Sequence, residues 1–293
     1  MATGNMTVTT AAVHIGEVWV KDMLRAQEFK TVIAPNVFRD WTYDGHGDVY
    51  HIRRRPNIEV QTKSASSSLN ANTYTDTEQT VTINIHQAAA FKIESIVEVL
   101  EDSGIRKEMT SSIGYTLSRA VDVNLASLFT SFSQSVGTLG QDPTYQNWLR
   151  AWQYLADAGV DEDSDTCIFV SPAGMAGLLD MDQFVHADYR GTNNARRASE
   201  DAHIGRFLDS PVIRSNLLTA PASGQHEAAF MVKRAVALIM AQTQKMTFET
   251  IALDLADVVV GDQIYGYAEV DRYSETPGNV TATDEWAVLV NMK

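Results

Sequence analysis

Cysteine is nearly absent: Cys167 stands alone in 293 residues, so no disulfide can form within the chain. It leads into the apolar run Ile168-Phe169-Val170, where an unpaired cysteine behaves as a small hydrophobe rather than a nucleophile. Basic residues are few. The 23 Lys and Arg against 37 Asp and Glu leave a net charge of −14. A nucleic-acid reader carries a basic face, so this balance argues against one. No apolar run approaches the roughly 18 residues of a membrane span, and no membrane partner is expected. No basic region followed by an apolar run opens the chain, so no signal peptide is visible and a cytosol-like compartment is expected.

The motifs of chemistry are missing as well. The seven histidines form no H-x-x-x-H pair, and there is no second cysteine for a zinc knuckle. Asp161-Glu162-Asp163-Ser164-Asp165 places four acids in five residues, but the glycine and final glutamate of a calcium loop of about twelve residues do not follow. It reads as a solvated loop. No G-x-S-x-G elbow, P-loop or G-x-G-x-x-G is present. No catalytic residue, metal or cofactor is expected, and the chain does not read as an enzyme.

What is there is an ordinary globular composition, 44% hydrophobic and 20% charged, which excludes a wholly disordered chain. The acidic excess is uneven: residues 1–140 carry net −3 and residues 141–293 net −11. The second half therefore presents the more acidic, solvated surface.

Residues 1–17 are small, polar and aperiodic and read as an extended arm; a helix is expected from Glu17 to Lys30. Gly45-His46-Gly47-Asp48 is a turn cluster, followed by strand-like Val49, Tyr50, Ile52, Ile58 and Val60. A return strand is expected where Val81, Ile83 and Ile85 alternate with Thr82, Asn84 and His86. Between them Lys63 to Thr75 is too rich in Ser, Thr and Asn to bury itself. Two strands with a long polar tip make a projecting hairpin. An isolated hairpin is marginal in water, so this one is expected to lean on something outside its own domain.

The strongest periodicity lies in residues 104–136. Met109, Ile113, Leu117, Val121, Leu125, Phe129 and Phe132 recur at intervals of four and three, one stripe of a long amphipathic helix. Thr144 to Ala158 reads as a second helix ended by Gly159. The strand Cys167–Val170 then meets Ser171-Pro172, a side-chain cap followed by a residue with no amide hydrogen, which opens a short helix. Ala229–Val232, Ala235–Met240, Val258–Val270 and Trp286–Met292 read as strands. The fold class is α+β.

Arg53-Arg54-Arg55 is the only basic run. It fits a solvated strand edge, an inter-subunit contact in which arginine forks meet a neighbour's carboxylates, or, third, contact with DNA.

The order of these parts resembles the major capsid (coat) proteins of tailed phages with the Hong Kong ninety-seven fold. The resemblance rests on Trp19, Ala34-Pro35-Asn36-Val37, Arg39-Asp40 and Gly47-Asp48-Val49, on the strand, cap and helix of Phe169 to Leu179, and on His203-Ile204-Gly205-Arg206 through Asn216. It implies an N-terminal arm and helix (1–30), an extended hairpin loop (46–87), a peripheral domain with a spine helix (31–45, 88–140 and 256–293) and an axial domain (141–255). It makes Arg53, Arg54, Arg55, Lys63 and Tyr74 candidate inter-subunit contacts of the extended loop. Met109, Ile113, Leu117, Val121 and Leu125 become the packing stripe of the spine.

The implied function is self-assembly as hexamers and pentamers into an icosahedral shell around double-stranded DNA, bound without sequence specificity. The implied location is the virion, after assembly in the host cytoplasm. A portal and a decoration protein are the further implied partners. Trp19 comes too early for the removable scaffolding segment of some relatives, unless the sequence is already the processed form, and a separate scaffolding protein is implied. Some relatives also crosslink a loop lysine to a neighbour; Lys63 lies near that place without matching chemistry. Two other readings stay open: an encapsulin-like shell with protein cargo, and a soluble α/β enzyme whose site forms only in three dimensions. Cargo separates the first, and a deep pocket with a perturbed acid–base pair would mark the second.

Overall fold

Where apolar side chains recur every second residue the chain forms strands, and where they recur every third or fourth it forms helices. The computed structural model describes residues 31–39, 47–54, 60–66, 68–69, 77–94, 105–160, 165–185, 205–208, 210–218, 222, 224–252, 254–273, 282–283 and 286–293. The expected arm and helix of residues 1–30, Trp19, Asp40, the acidic run 161–164 and His203-Ile204 lie outside them.

The elements in chain order are β1 (Val49–Arg54), β2 (Thr77–Thr82), β3 (Ile85–Glu94), α1 (Ile105–Phe129), β4 (Ser135–Val136), α2 (Tyr145–Asp157) and β5 (Thr166–Val170). There follow α3 (Pro172–Leu179), α4 (Asp182–Val185), β6 (Arg206–Phe207), β7 (Ser210–Arg214), β8 (His226–Val232), β9 (Val236–Ile251) and β10 (Ala256–Glu269). Short β11 (Arg272–Tyr273) and β12 (Ala282–Thr283) precede the closing β13 (Ala287–Met292). The α+β class holds.

Two larger sheets carry the fold. A mixed six-stranded sheet runs in the order β4-β13-β8-β5-β7-β6, and an antiparallel three-stranded sheet in the order β3-β10-β9. On one face of the six-stranded sheet, Trp148, Ala151 and Leu155 of α2 and Met175 and Leu178 of α3 pack on Ile168, Phe230 and Val288. The other face shares a core with α1: Val121, Leu125 and Phe129 meet Phe169, Met231 and Leu289. Val236, Leu238 and Tyr265 of the long strands join the same cluster, so the two sheets are fastened by one continuous apolar core.

Local signals explain the boundaries. The α3 cap forms as its sequence predicts: the Gly174 amide donates to Ser171 Oγ at 3.1 Å, with Pro172 at the first helical position. Gly159, at φ +75°, takes the left-handed residue that ends α2. The long helix spans 25 residues, about 37 Å, shorter than residues 104–136. Ser127, Thr130 and Ser131 turn their hydroxyls onto backbone carbonyls there and compete with the ladder. Phe132 nevertheless stays buried beyond the helix end, its ring 5.5 Å from Phe129.

Three expectations about strands differ from the structure. The return strand ends at Thr82, and Ile85 opens β3 in another sheet; the alternation of Val81, Ile83 and Ile85 runs through both, so it cannot show the change of partner. The strand Val236–Ile251, expected with residues 141–255, pairs with β10 in the three-stranded sheet. The closing strand Ala287–Met292, expected with residues 256–293, lies between β4 and β8 in the six-stranded sheet. The six-stranded sheet passes directly into the three-stranded one at a 3-10 turn, Lys233–Ala235, where β8 runs on into β9. The flanking stretches 228–232 and 235–239 are buried on both faces, so they carry no alternation from which to read a partner.

Candidate inter-subunit surfaces

The hairpin of β1 and β2 is antiparallel, with Arg53 opposite Glu78 and Arg54 opposite Thr77. His51 Nδ1 and Glu78 Oε2 are 3.1 Å apart, both about half exposed. Arg53 and Lys63 are exposed. Arg55 and Tyr74 lie outside the described residues. Beyond the strands, Val60 is 94% exposed and Leu69 62%. The polar loop thus carries two apolar side chains that the described fold leaves in water.

At its base the hairpin leans on other parts of the same chain. Tyr50, Ile52, Val81 and Ile83 pack on Ala237, Ile239 and Val270. Gln79 clamps the end of β10: its Nε2 donates to the Glu269 carbonyl at 2.8 Å and its Oε1 accepts from the Asp271 amide at 3.3 Å. Gly266 lets the two backbones meet, since a Cβ there would lie 2.9 Å from Ile83 Cα and closer still to the Thr82 carbonyl. The hairpin is seated firmly at its base.

Of the spine stripe, Ile113, Leu117, Val121 and Leu125 are buried and Met109 is half-buried. Ile113 and Leu117 lie on the three-stranded sheet against Val259, Ala89 and Phe91. The polar partners of the helix escape sequence reading. Asp122 is fully buried and accepts three backbone amides: Val32 at 2.7 Å, Ile33 at 3.1 Å and Ala34 at 2.8 Å. These open the 3-10 turn Ala34–Asn36, whose own cap residue, Ile33, has no side-chain acceptor. A helix start at Ala34-Pro35 without a local cap is the one signal that an acid must come from elsewhere.

A second buried group lies beside it. Gln263 Nε2 donates to the Leu117 carbonyl at 2.9 Å and to Gln87 Oε1 at 3.2 Å. The Tyr265 hydroxyl donates to the same Gln87 oxygen at 2.9 Å and accepts from Asn124 Nδ2 at 2.7 Å. Burial pushes the Tyr265 phenol up, partly offset by the Asn124 hydrogen bond. These bonds fix the register of α1 on the sheet and move no proton.

The arrangement offers little to chemistry. Burial pushes the Cys167 thiol up to about 12, so it stays protonated and unreactive. Among the described residues no three metal-ligating side chains cluster, and no helix is long and apolar enough to cross a membrane. A cavity of about 370 Å³ lies between Pro35, Arg39, Asp122, Met240 and Gln244. Its one carboxylate is already engaged by the three amides.

No family model matches the sequence, and no curated protein does. Solved structures do. A structure from Mycobacterium phage Che8 superposes with a TM-score of 0.78 at 18% identity, covering 94% of this chain and 96% of that one. The capsid structure of the cyanophage P-SCSP1u gives a TM-score of 0.76 at 13% identity, over 96% of this chain and 93% of that one. The chain has the fold of a phage capsid subunit. The head structure of the Helicobacter pylori bacteriophage KHP40 matches this capsid fold over the full length of both chains, 100% and 100%, with a TM-score of 0.76 at 12% identity.

Proposed function

We propose that this chain is a major capsid protein of a tailed phage, which self-assembles as hexamers and pentamers into an icosahedral shell around double-stranded DNA. The role is structural, not enzymatic, and its place is the virion. The observation that carries the reading is the end-to-end match to a phage head subunit, with neither chain left over. The hairpin supports it: firmly seated at its base, it carries exposed Val60 and Leu69 away from the core, as a segment would that lies on a neighbouring copy.

On this reading the three-stranded sheet with α1 is the peripheral unit and the six-stranded sheet with α2 and α3 the axial unit. Arg53, Arg54, Arg55, Lys63 and Tyr74 face a neighbouring subunit, where the acidic surface of residues 141–293 supplies carboxylates. Met109, Ile113, Leu117, Val121 and Leu125 hold the spine. DNA is enclosed rather than read, in keeping with a charge of −14. Assembly takes place in the host cytoplasm with a scaffolding protein and a portal.

The test is removal of Ser64 to Thr77. The subunit should stay folded, because the anchoring residues from Tyr50 to Ile52 and from Gln79 to Ile83 remain, while shells fail to form. Changing Arg53, Arg54 and Arg55 together to glutamate should also cut particle yield. Normal shells from the deleted chain would refute the neighbour-clasping role.

A further inference from the structure

Arg39 belongs to the stretch that carries the resemblance near the start of the chain, and the shell reading gives it no task. It lines the cavity of about 370 Å³ between the Ala34–Asn36 turn, α1 and β9. That volume falls within the range of small-molecule sites, about 300–1,000 Å³. A fault in strand pairing shapes the cavity. Six residues of β9, 240–245, face only four of β10, 262–265, so β9 bulges there. Consecutive strand residues ordinarily point to opposite faces. Thr243 and Gln244 both line the cavity, which the bulge permits.

The polar groups around the cavity are not equally available. Gln244 Nε2 spends its hydrogens inside the fold, on the Gly114 carbonyl at 3.1 Å and Ser118 Oγ at 2.8 Å. Asp122 is fully buried with its oxygens on three backbone amides, so no ligand reaches it. Arg39 is exposed and, among the described residues, pairs with no carboxylate, although acids are in excess in a chain of net charge −14. The one charge that a ligand meets here is positive. A guanidinium fork matches a carboxylate with two parallel N–H···O bonds. Beside it Ala34, Pro35 and Met240 supply apolar wall. A fork next to such a wall suits an anion with a short apolar body. Inorganic phosphate leaves the wall unused, and an amine is repelled.

We propose that this cavity binds a small organic carboxylate, with Arg39 on the carboxylate and Ala34, Pro35 and Met240 against the apolar body. The ligand joins the turn that Asp122 holds to the bulged part of β9, and so stabilises the subunit that binds it. The site does not depend on the shell reading, because every group in it belongs to one subunit.

The test titrates hexanoate into unassembled full-length subunits whose methionine methyls carry a carbon-13 label. The Met240 methyl signal should shift and saturate. At about ten times the Kd for hexanoate the melting temperature should rise by about 3 °C. Hexylamine, the same tail with the opposite charge, and inorganic phosphate should leave that methyl unmoved. Arg39→Gln should weaken hexanoate binding by about tenfold, the loss of a charge-assisted pair. The ligand-free variant should melt with the wild type, since the replaced side chain is at the surface. Arg39→Lys keeps the charge without the fork and should fall between the two. A Met240 methyl that ignores hexanoate, an equal response to hexylamine, or wild-type hexanoate binding by R39Q would overturn the proposal.

Discussion

Replacing Asp122 by alanine should destabilise the unassembled subunit by about 3–5 kcal/mol. The carboxylate holds the amides of Val32, Ile33 and Ala34 at 2.7, 3.1 and 2.8 Å. Ile33 is fully buried, so its orphaned amide forfeits a full desolvation cost of about 1–3 kcal/mol. Val32 and Ala34 are half-buried and regain part of their loss from water, about 1 kcal/mol each remaining. At roughly 2 °C per kcal/mol for a chain of this size, the melting temperature should fall by about 6–10 °C. Asp122→Asn keeps one acceptor oxygen and should lose about half as much. Calorimetry of unassembled subunits reads both. An alanine variant within about 0.5 kcal/mol of wild type would refute the claim that Asp122 ties the Ala34–Asn36 turn to α1, because an exposed surface acid gives that result.

Two further outcomes follow from the packing. Gly266→Ala drives a methyl into the Thr82–Ile83 backbone; the hairpin seat should open, seen as faster amide exchange in Val81 and Ile83, and unchanged exchange would contradict the close approach. Glu227 has a buried carboxylate oxygen with no partner among the described residues, lies opposite Asn291, and is pushed up by burial. A carboxyl raised in the folded state contributes most below its unfolded value, and that contribution is lost as pH rises through the folded one. Glu227→Gln should therefore stabilise the subunit at neutral pH, with the gain vanishing as pH falls below the ordinary carboxylate range; an equal gain at every pH would contradict this.

Much of the fold is legible in the residues themselves. The α1 stripe shows because one face of a long helix is buried and the opposite face is not. The α3 start shows because Ser171 and Pro172 each supply what a helix N-terminus lacks. Partner choice does not show. Val236–Ile239 and Ala287–Val290 are buried on both faces, and such a run reads alike in either sheet. Asp122 is hidden for a related reason: beside Val121 it looks like the solvent side of a helix, yet α1 is covered on that side by the turn at Ala34. The candidate loop contacts are legible only as composition, a basic run beside a polar tract.

The central claim is that this chain builds a closed shell from many copies of itself. Electron microscopy of the purified protein at assembly concentration tests it directly. The account predicts closed icosahedral particles built from hexamers and pentamers. A compact monomer under every condition tried would contradict it.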